Sequence, residues 1–332
     1  PPRKRITVNE RMRHLAGRLR RIVFGISQRE ALFSRRGFFA RTSEARAHLE
    51  QVGATFIAGY NAALEETDAT SLMPVLNQNE RELTGFAFEG AAMALALLDL
   101  ITPWNRTRID KYLEVAGAQH VYMIHIGAGW ALARLRRSIE SYLKRRHPVY
   151  RWLVVDGYGF HQGYFHWKRF IESRKLPIKM SGYALRAFDQ GLGRALWFMY
   201  GADVEQVSSS VRSFAAHRQP ELWSGVGLAC AYAGKVSLPE IRRLRTAAGQ
   251  YYPQLAQGAA FAAKARLRAE NLTEYTDQVC QELCGISAVE AANLTDRALE
   301  NLPTESEEPA YQVWRSRLHS MFAMSEPGKV RS

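Results

Sequence analysis

A glycine flanked by other small residues recurs along this chain of 332 residues, each time inside a short apolar segment. Seven such glycines are Gly59, Gly90, Gly127, Gly163, Gly191, Gly225 and Gly258. They are 31, 37, 36, 28, 34 and 33 residues apart, and a period in this range is typical of helix–turn–helix repeats. A glycine within a helix costs about 1 kcal/mol relative to alanine, so its repetition needs a packing reason. We expect close contact between neighbouring helix backbones at these positions.

The segment 222–255, LWSGVGLACAYAGKVSLPEIRRLRTAAGQYYPQL, is the clearest repeat unit. It contains a small-residue helix, a turn at Gly234, a second amphipathic helix and a closing Pro253. Strand patterns are sparse, and YRWLVV at 150–155 fits a helix equally well. The sequence therefore predicts an all-α protein of stacked helical hairpins, a degenerate tetratricopeptide-like α-solenoid that could curl around an apolar groove. Three parts are predicted: an N-terminal arm over 1–46, a helical-repeat domain over 47–300, and a C-terminal loop and helix over 301–332.

The basic charge of the chain is concentrated at its N-terminus. Of the net charge of +13, residues 1–46 carry +10, and the remaining residues are nearly neutral. Within this arm, apolar residues recur at helical spacing among arginines: Ile6, Met12, Leu15, Leu19, Ile22, Val23 and Ile26. Such a basic amphipathic helix can dock on an acidic protein or an anionic membrane, or it can be a solvated helix packed against the body. No nucleic-acid-binding motif accompanies the charge, so we predict no nucleic-acid partner.

Compartment and cofactor use are predicted from the patterns that the sequence lacks. The longest apolar runs either contain Glu89 or are shorter than the roughly 20 residues of a membrane span. No secretory signal pattern is visible, and three cysteines are too few for a disulfide framework. We therefore expect a cytoplasmic protein. The sequence has no P-loop, no complete dinucleotide fingerprint, no nucleophile elbow and no zinc-ligand spacing, so we predict neither a cofactor nor a metal.

Polar residues precede most of the recurring glycines. In chain order the preceding residues are Ala58, Glu89, Ile126, Gln162, Gln190, Ser224 and Gln257. Five of the seven are polar although the surrounding helices are apolar, and burying a polar group without a partner is unfavourable. Two outcomes are open. These side chains bridge to the next hairpin, or they line a concave surface that binds a ligand.

The densest set of titratable side chains lies around DGYGFHQGYFHW, residues 156–167, which contains one acid, two histidines and several aromatic residues. The histidine pairs of this region are five residues apart, too far around a helix to chelate one metal. If the acids and histidines converge, they could perform general acid–base catalysis without a cofactor. The candidate catalytic residues are Glu89, Asp156, His161 and Asp189. The alternative is a packing helix in which Asp156 is the N-cap and the aromatic residues belong to the core.

Several long motifs resemble one bacterial family of unknown function. They include FAFEGAAMALALLD, HVYMIHIGAGWALARL, LVVDGYGFHQGYFHW, DQGLGRALWF, LWSGVGLACAYAG and QGAAFAAKAR, and the similarity runs from about residue 23 to about residue 320. Members of that family are encoded beside the iterative polyketide synthases that make enediyne antitumour antibiotics. The resemblance implies a role in building or maturing the enediyne core, after the synthase has made a linear polyene. It assigns no catalytic residue.

Two functions are open at the level of the sequence. In the first, the protein is an enzyme that binds a linear polyene and helps to process or cyclise it by acid–base chemistry. In the second, it is a non-enzymatic helical-repeat scaffold or ligand carrier that assembles the polyketide synthase and its partners. The first predicts a closed apolar pocket that contains titratable groups, and the second predicts an exposed concave groove. The candidate ligand-binding residues are His125, Trp130, Tyr158, Gln162, Tyr164, Gln190, Trp197, Ser224 and Gln257.

Overall fold

A computed structural model describes residues 8–102, 104–178, 180–303 and 306–324. Over these residues the chain is all-α, as predicted, and contains no strand. The α-helices are α1 (Val8–Phe24), α2 (Phe33–Arg36), α3 (Ser43–Glu65), α4 (Ala69–Leu76), α5 (Thr84–Ile101), α6 (Arg108–Arg134), α7 (Ile139–Leu143), α8 (Arg151–Phe165), α9 (Tyr183–Met199), α10 (Val204–Arg212), α11 (Gln219–Ala233), α12 (Leu238–Ala248), α13 (Tyr252–Arg268), α14 (Glu274–Cys284), α15 (Ala288–Leu299) and α16 (Ala310–Met324).

The long helices pack against one another in chain order, α3 on α5 and then through α6, α8, α9 and α11 to α13. Glycines bring the backbones together at these contacts. A Cβ at Gly191 would lie 2.0 Å from the carbonyl oxygen of Asp156, and one at Gly159 would lie 2.2 Å from that of Phe188. A side chain does not fit at such a distance, so these glycines permit the close approach of α8 and α9.

Four G-x-G pairs, at 127/129, 157/159, 191/193 and 225/227, repeat this geometry. Two residues along a helix correspond to a rotation of about 200°, so the two glycines of a pair face opposite neighbours. Gly225 contacts α9 at Gln190, and Gly227 contacts α13 at Leu255. Packing therefore explains the recurring glycines, as their period led us to expect.

The structure corrects the register of the repeat in α8. The glycine of α8 that contacts the backbone of α6 is Gly157, where a Cβ would lie 2.0 Å from a carbonyl oxygen. Gly163 instead faces side chains of α9 and of the turn after α8. Asp156, rather than Gln162, therefore precedes the contact glycine. The alternative in which Asp156 is an N-cap is wrong, because this residue lies within α8.

Short helices alternate with the long ones and begin at recognisable caps. The side chain of Asp203 accepts hydrogen bonds from the backbone at the start of α10, and Ser287 with Glu290 forms a capping box at α15. α12 packs against both α10 and α14, as the second helices of stacked hairpins would. α6 also contacts α13 across the row of long helices. The tetratricopeptide-like solenoid stays a prediction.

Two apolar helices belong to the interior. Among the described residues, α5 is the one helix that is long and apolar enough to cross a membrane, with a mean hydropathy of 1.5. However, 83% of it is buried inside the protein, which is typical of a core helix. α16 returns from the C-terminal loop and buries Tyr311, Trp314 and Arg315 while it packs against α13 and α15.

The amphipathic helix predicted for the N-terminal arm is α1. It packs on α3 at Gly17, where a Cβ would lie 2.3 Å from the carbonyl oxygen of Glu65. Its apolar residues from Met12 to Val23 are exposed, so they do not form the contact with the body. Ile6, which belongs to the predicted pattern, lies outside the described residues.

Candidate functional site

The polar residues that precede the contact glycines form hydrogen bonds between neighbouring helices. Gln190 Nε2 donates to Asp156 Oδ2 at 2.9 Å, and Arg194 Nη1 donates to Asp156 Oδ1 at 2.5 Å. Ser224 Oγ donates to Gln257 Oε1 at 2.9 Å. All five residues are buried. Of the two outcomes that the sequence left open, the structure shows bridging for these residues, which satisfies polar groups within the core.

α16 extends this buried network with a fully buried arginine. Arg315 Nε donates to Gln257 Oε1 at 3.0 Å, and Arg315 Nη1 lies 2.5 Å from Glu221 Oε2. The hydroxyl of Tyr311 accepts from Gln190 Nε2 at 3.2 Å. A buried charge is unfavourable unless it is paired and hydrogen-bonded. These contacts therefore fix the position of α16 against α9, α11 and α13.

Asp189 forms a separate buried ion pair. Arg218 donates to both of its carboxylate oxygens, at distances of 2.8 and 2.5 Å. Burial raises the pKa of Asp189, and its hydrogen bonds and ion pair with Arg218 oppose that shift. Asp156 is engaged in a similar way by Arg194, and burial raises its pKa too. Both carboxylates hold helices together, and neither belongs to the lining of the two spaces described next.

Glu89 lies in a different environment, the wall of a small apolar chamber. The chamber has a volume of about 40 Å³ and is surrounded by α3, α5, α6, α8 and α9. Neither carboxylate oxygen of Glu89 has a hydrogen-bond partner among the described residues, and Arg194 Nη2 lies 3.8 Å from Oε2. The aromatic walls of the chamber include Phe56, Phe86, Trp130, Phe160 and Phe198.

This environment brings the titration of Glu89 close to neutral pH. Burial raises its pKa to about 7, while the positive charge of Arg194 opposes the shift and the negative charge of Asp156 adds to it. The indole nitrogen of Trp130 is close enough to influence the carboxyl but has no hydrogen bond of ordinary geometry. At neutral pH both protonation states of Glu89 are populated, which suits a group that donates and accepts protons.

A large open cleft adjoins the chamber. It has a volume of about 1160 Å³. Six basic residues line the cleft against one acid, Glu30, which pairs with two of them. The cleft is therefore positively charged and also offers flat aromatic surface, so it suits an anionic group attached to an apolar body. The basic residues are Arg35, Arg36, Arg134, Arg136, Lys168 and Arg169, and the polar and aromatic residues from α8 are Tyr158, His161, Gln162, Tyr164 and Phe165.

Irregular backbone places two of the basic segments at the cleft. Arg136 has a φ of +51°, in the left-handed region that residues other than glycine rarely adopt. Lys168–Glu172 forms a π-helical turn soon after α8, and such turns occur often at functional sites. Both features direct the chain away from a regular helix where it borders the cleft.

The chamber and the cleft are separated by side chains that line both. These shared residues are Ile26, Glu30, Met93, Tyr164 and Phe165. Tyr164 is buried and Phe165 is half-buried, and these two aromatic side chains stand at the boundary between the two spaces. The apolar chamber, with Glu89 in its wall, thus adjoins the basic cleft.

His161 is the second titratable residue of the predicted set that reaches this site. It is buried at the wall of the cleft, and burial lowers its pKa to about 3, with the positive charges of the neighbouring His166 and Arg134 acting in the same direction. Its Nδ1 has no hydrogen-bond partner within the described part of the chain. His161 is therefore neutral at physiological pH.

In residues 8–324, apart from the positions that are not described, no three His, Cys, Asp or Glu side chains cluster as metal ligands would.

Five of the nine predicted ligand-binding residues lie away from the cleft and the chamber: three belong to the bridging network, and His125 and Trp197 lie elsewhere. His125 Nδ1 is 2.7 Å from the Val121 carbonyl oxygen, and burial lowers its pKa to about 4. Trp197 is fully buried in the core. The structure thus places Glu89, Trp130, Tyr158, His161, Gln162 and Tyr164 around one site, and Asp156, Gln190, Ser224 and Gln257 in the bridging network.

The sequence did not reveal the arginines that pair with the buried carboxylates or those that line the cleft. Arg194 follows Gln190 by one helical turn and reaches Asp156 and Glu89. An arginine inside the apolar segment GLGRALW was the available signal, because a charge there must find a buried partner. The basic residues of the cleft carried no such signal, since they come from separate parts of the chain.

The fold and the site define an all-α protein in which a buried ion network meets an apolar chamber at Glu89, beside a basic cleft. The chain belongs to the family described as "Protein of unknown function (DUF1702)", whose model matches residues 15–322. No curated protein matches the chain, and no solved structure matches it. The function must therefore be inferred from the site itself.

Proposed function

We propose that this protein binds an elongated apolar molecule with an anionic end, such as a linear polyene acid, and helps to process or cyclise it in enediyne polyketide biosynthesis in the cytoplasm. The observation that carries the proposal is the basic, aromatic cleft of about 1160 Å³ next to an apolar chamber whose wall contains a buried carboxyl group without a hydrogen bond. The enediyne pathway enters through the resemblance of the long sequence motifs. A hydrophobic polyketide intermediate is the ligand that both lines of argument share.

The anionic end of the ligand binds at the exposed basic rim. Arg136, Lys168 and Arg169 are exposed and line the cleft, so they can contact a carboxylate without first breaking a buried ion pair. Arg134 is less available, because it donates to the hydroxyl of Tyr60 at 2.9 Å. A carboxylate or a phosphate would satisfy the same guanidinium donors.

The apolar body of the ligand lies along the aromatic wall of α8. Tyr158, Tyr164 and Phe165 present ring surface to the cleft, and a flat conjugated chain matches ring faces in shape. The closed chamber is too small for a polyene, because about 40 Å³ corresponds to a few water molecules. Entry toward Glu89 therefore requires Tyr164 and Phe165 to move, and a ligand that fills the space would stabilise that arrangement.

Glu89 supplies the proton transfer. In its neutral form the carboxyl group donates a proton to one carbon of the polyene, and the resulting carboxylate removes a proton from another carbon, so that the double bonds shift and Glu89 returns to its starting state. Arg194, 3.8 Å away, stabilises the carboxylate between the two steps. A pKa of about 7 lets one group perform both steps.

The second candidate is a non-enzymatic ligand carrier or scaffold that assembles the polyketide synthase and other pathway proteins. The observation that favours it is the engagement of Asp156 and Asp189 by arginines, which leaves Glu89 as the one carboxyl group of the predicted catalytic set without a hydrogen bond. A carrier would bind the same ligand in the same cleft. The Glu89→Gln variant separates the two functions, because an enzyme would lose turnover and retain binding, whereas a carrier would be unaffected.

Binding is tested with a fluorescent polyene acid. Parinaric acid, a conjugated tetraene carboxylic acid, is titrated into the wild-type protein and into the double variant Arg136→Glu/Lys168→Glu. We expect the double variant to bind at least about tenfold more weakly, since two attractive charges become repulsive. The methyl ester of the same probe should bind the wild type more weakly than the acid does, because it lacks the negative charge.

The matched control is Lys144→Glu/Arg145→Glu. It makes the same change of charge at two exposed residues that do not line the cleft, and it should bind the acid as the wild type does. Equal affinity of the acid for the wild type and both double variants would contradict the proposed site. Absence of saturable binding to the wild type would contradict the proposed ligand class.

A further inference from the structure

α1 contacts the body along one narrow stripe. Gly17 is the closest point of approach to α3, Arg20 Nε donates to the carbonyl oxygen of Leu64 at 2.7 Å, and Phe24 is half-buried. These three residues follow one another at intervals of three and four, so they occupy one face of the helix. The rest of the described helical surface is exposed.

The exposed face of α1 is apolar. Met12, Leu15, Leu19, Ile22 and Val23 are exposed to 61, 63, 61, 79 and 61%. At about 100° per residue, this apolar stripe is centred roughly 140° from the stripe that contacts the body. Isolated exposed apolar residues are ordinary, but a contiguous stripe of this kind marks an interaction surface. The helix is thus held on the body with its apolar side outward.

The charge around the stripe selects the partner. Arg11 and Arg18 lie beside it on α1, whereas Arg21 lies on another face and pairs with Glu65 of the body. Glu10 is the one acid in the sequence of this helix. A second copy of the chain would bring the same arginines against the stripe and would be repelled. A surface with dense negative charge above an apolar layer matches both the arginines and the stripe, and an anionic lipid bilayer has this structure.

The position of α1 relative to the cleft favours a membrane over an acidic protein. Gly25, Ile26 and Ser27 directly follow α1 and line the cleft. Another lining residue of the cleft, Ile178, is exposed to 79%, and Leu176 nearby is exposed to 49%. The end of α1 therefore adjoins the cleft, and a separate exposed apolar residue lies in the lining of the cleft. Exposed apolar side chains of this kind insert at a lipid interface.

We infer that α1 docks on the surface of an anionic lipid bilayer, with Met12, Leu15, Leu19, Ile22 and Val23 inserted among the lipids and the arginines at the headgroups. The helix lies in the plane of the interface and does not span it, as its polar face requires. Docking in this orientation holds the cleft near the bilayer. A further step, in which an apolar anion enters the cleft from the lipid phase, rests on the proposed function, whereas the docking itself does not.

The test is co-sedimentation of the full chain with vesicles. The wild type is mixed with vesicles of phosphatidylcholine and phosphatidylglycerol in equal parts, and with vesicles of phosphatidylcholine alone. We expect binding to the anionic vesicles that weakens as salt is added, and much weaker binding to the neutral ones. The variant Leu15→Ser/Leu19→Ser/Ile22→Ser should bind the anionic vesicles at least about tenfold more weakly, because three inserted side chains are lost.

The control variant is Val115→Ser/Val289→Ser, which changes two exposed apolar residues outside α1 and should bind as the wild type does. Because every substituted side chain is exposed, all variants should keep the thermal stability of the wild type. Failure of the wild type to bind anionic vesicles, or equal binding by the triple serine variant, overturns the inference. A dimer in solution that the triple variant abolishes assigns the stripe to a second copy and overturns it as well.

The vesicle experiment contains no polyene. Its outcome is therefore independent of the parinaric acid titration, and either proposal can fail without the other. Capture of an acidic pathway protein by the wild type but not by the triple serine variant, together with no vesicle binding, replaces the bilayer with a protein partner.

Discussion

Replacing Gly225 with alanine tests whether glycine-mediated backbone contact holds the long helices together. A Cβ at this position would lie 2.0 Å from the carbonyl oxygen of Gln190 and 2.8 Å from the amide nitrogen of Arg194. Ordinary contact begins near 3.4 Å, so α9 and α11 must separate locally by more than about 1 Å, and a gap of that size removes a quarter to a half of the dispersion energy of the affected contacts.

The expected loss of stability follows from two opposing effects. Overpacking of a tight interface costs about 1–3 kcal/mol, and here the obstructing atoms belong to backbone and cannot rotate away. Replacement of a helical glycine by alanine contributes about 1 kcal/mol in the opposite direction. With the loss of dispersion contacts included, Gly225→Ala should destabilise the protein by about 2 kcal/mol and lower the Tm by about 3 °C.

The same substitution at Gly117 is the control. Gly117 lies within α6, and a Cβ there would meet the side chain of Leu113 at an ordinary distance of 3.7 Å. Gly117→Ala should therefore stabilise the protein by up to about 1 kcal/mol through helix propensity alone. The measurement is thermal and urea unfolding of both variants beside the wild type. If Gly225→Ala is as stable as Gly117→Ala, the packing argument is refuted.

Three further changes test the buried polar groups. Glu89→Gln should stabilise the protein at pH 8 by about 3 kcal/mol. The pKa of Glu89 rises from its ordinary value to about 7 on folding, so the wild-type protein becomes less stable as the pH increases through that range. Urea unfolding from pH 4 to pH 8 should show that the difference between the variant and the wild type vanishes at the acid end. Gln190→Ala removes the bridge to Asp156 and Tyr311 and should cost about 1–3 kcal/mol while parinaric acid affinity is unchanged; a loss of affinity at full stability would instead place Gln190 in a ligand wall. Arg315→Ala removes the fully buried partner of Glu221, which retains Arg186 at 2.8 Å, and also removes a donor to Gln257, so it should cost about 3 kcal/mol. Arg297→Ala, at an exposed position, should leave the Tm within about 1 °C of the wild type.

The packing of the long helices could be predicted from the sequence, because a glycine inside a buried helix is unfavourable unless a neighbouring backbone needs the space of its missing side chain. The period of the glycines indicated an all-α repeat fold, and six of the seven glycines chosen do contact the backbone of a neighbouring helix. The error at Gly163 arose because α8 contains three glycines, and spacing alone could not decide among them. The G-x-G pairs would have decided it, since α6, α9 and α11 each contain one.

The roles of the polar residues could be predicted only in part. Bridging was one of the two outcomes left open for the row, and a sequence pattern does not show which carboxyl groups have arginine partners. Asp156 and Glu89 occupy equivalent places before a contact glycine. Arg194 is 2.5 Å from Asp156 and 3.8 Å from Glu89, and this difference decides which carboxyl group is left without a hydrogen bond.

The cleft and the orientation of α1 could not be predicted for a physical reason. The basic lining comes from three distant segments, around residues 35, 135 and 168, which only the packed fold brings together. The amphipathic pattern of α1 identified an apolar face but could not show that Gly17, on another face, makes the contact with the body. A helix can dock through the glycine face, where two backbones come into close contact, and leave its leucine and isoleucine side chains exposed.

The most direct test of the central claim is native mass spectrometry, with an absorbance spectrum, of the protein purified from cells that also express an iterative polyketide synthase of the kind that the proposed function requires. Polyenes absorb strongly, so a bound one is detected by both its spectrum and its mass. The account predicts a polyene bound to the wild type and to Lys144→Glu/Arg145→Glu, and its loss from Arg136→Glu/Lys168→Glu. A wild-type protein without bound polyene, from cells in which the synthase product is present, would contradict the claim that the basic cleft is a polyene site.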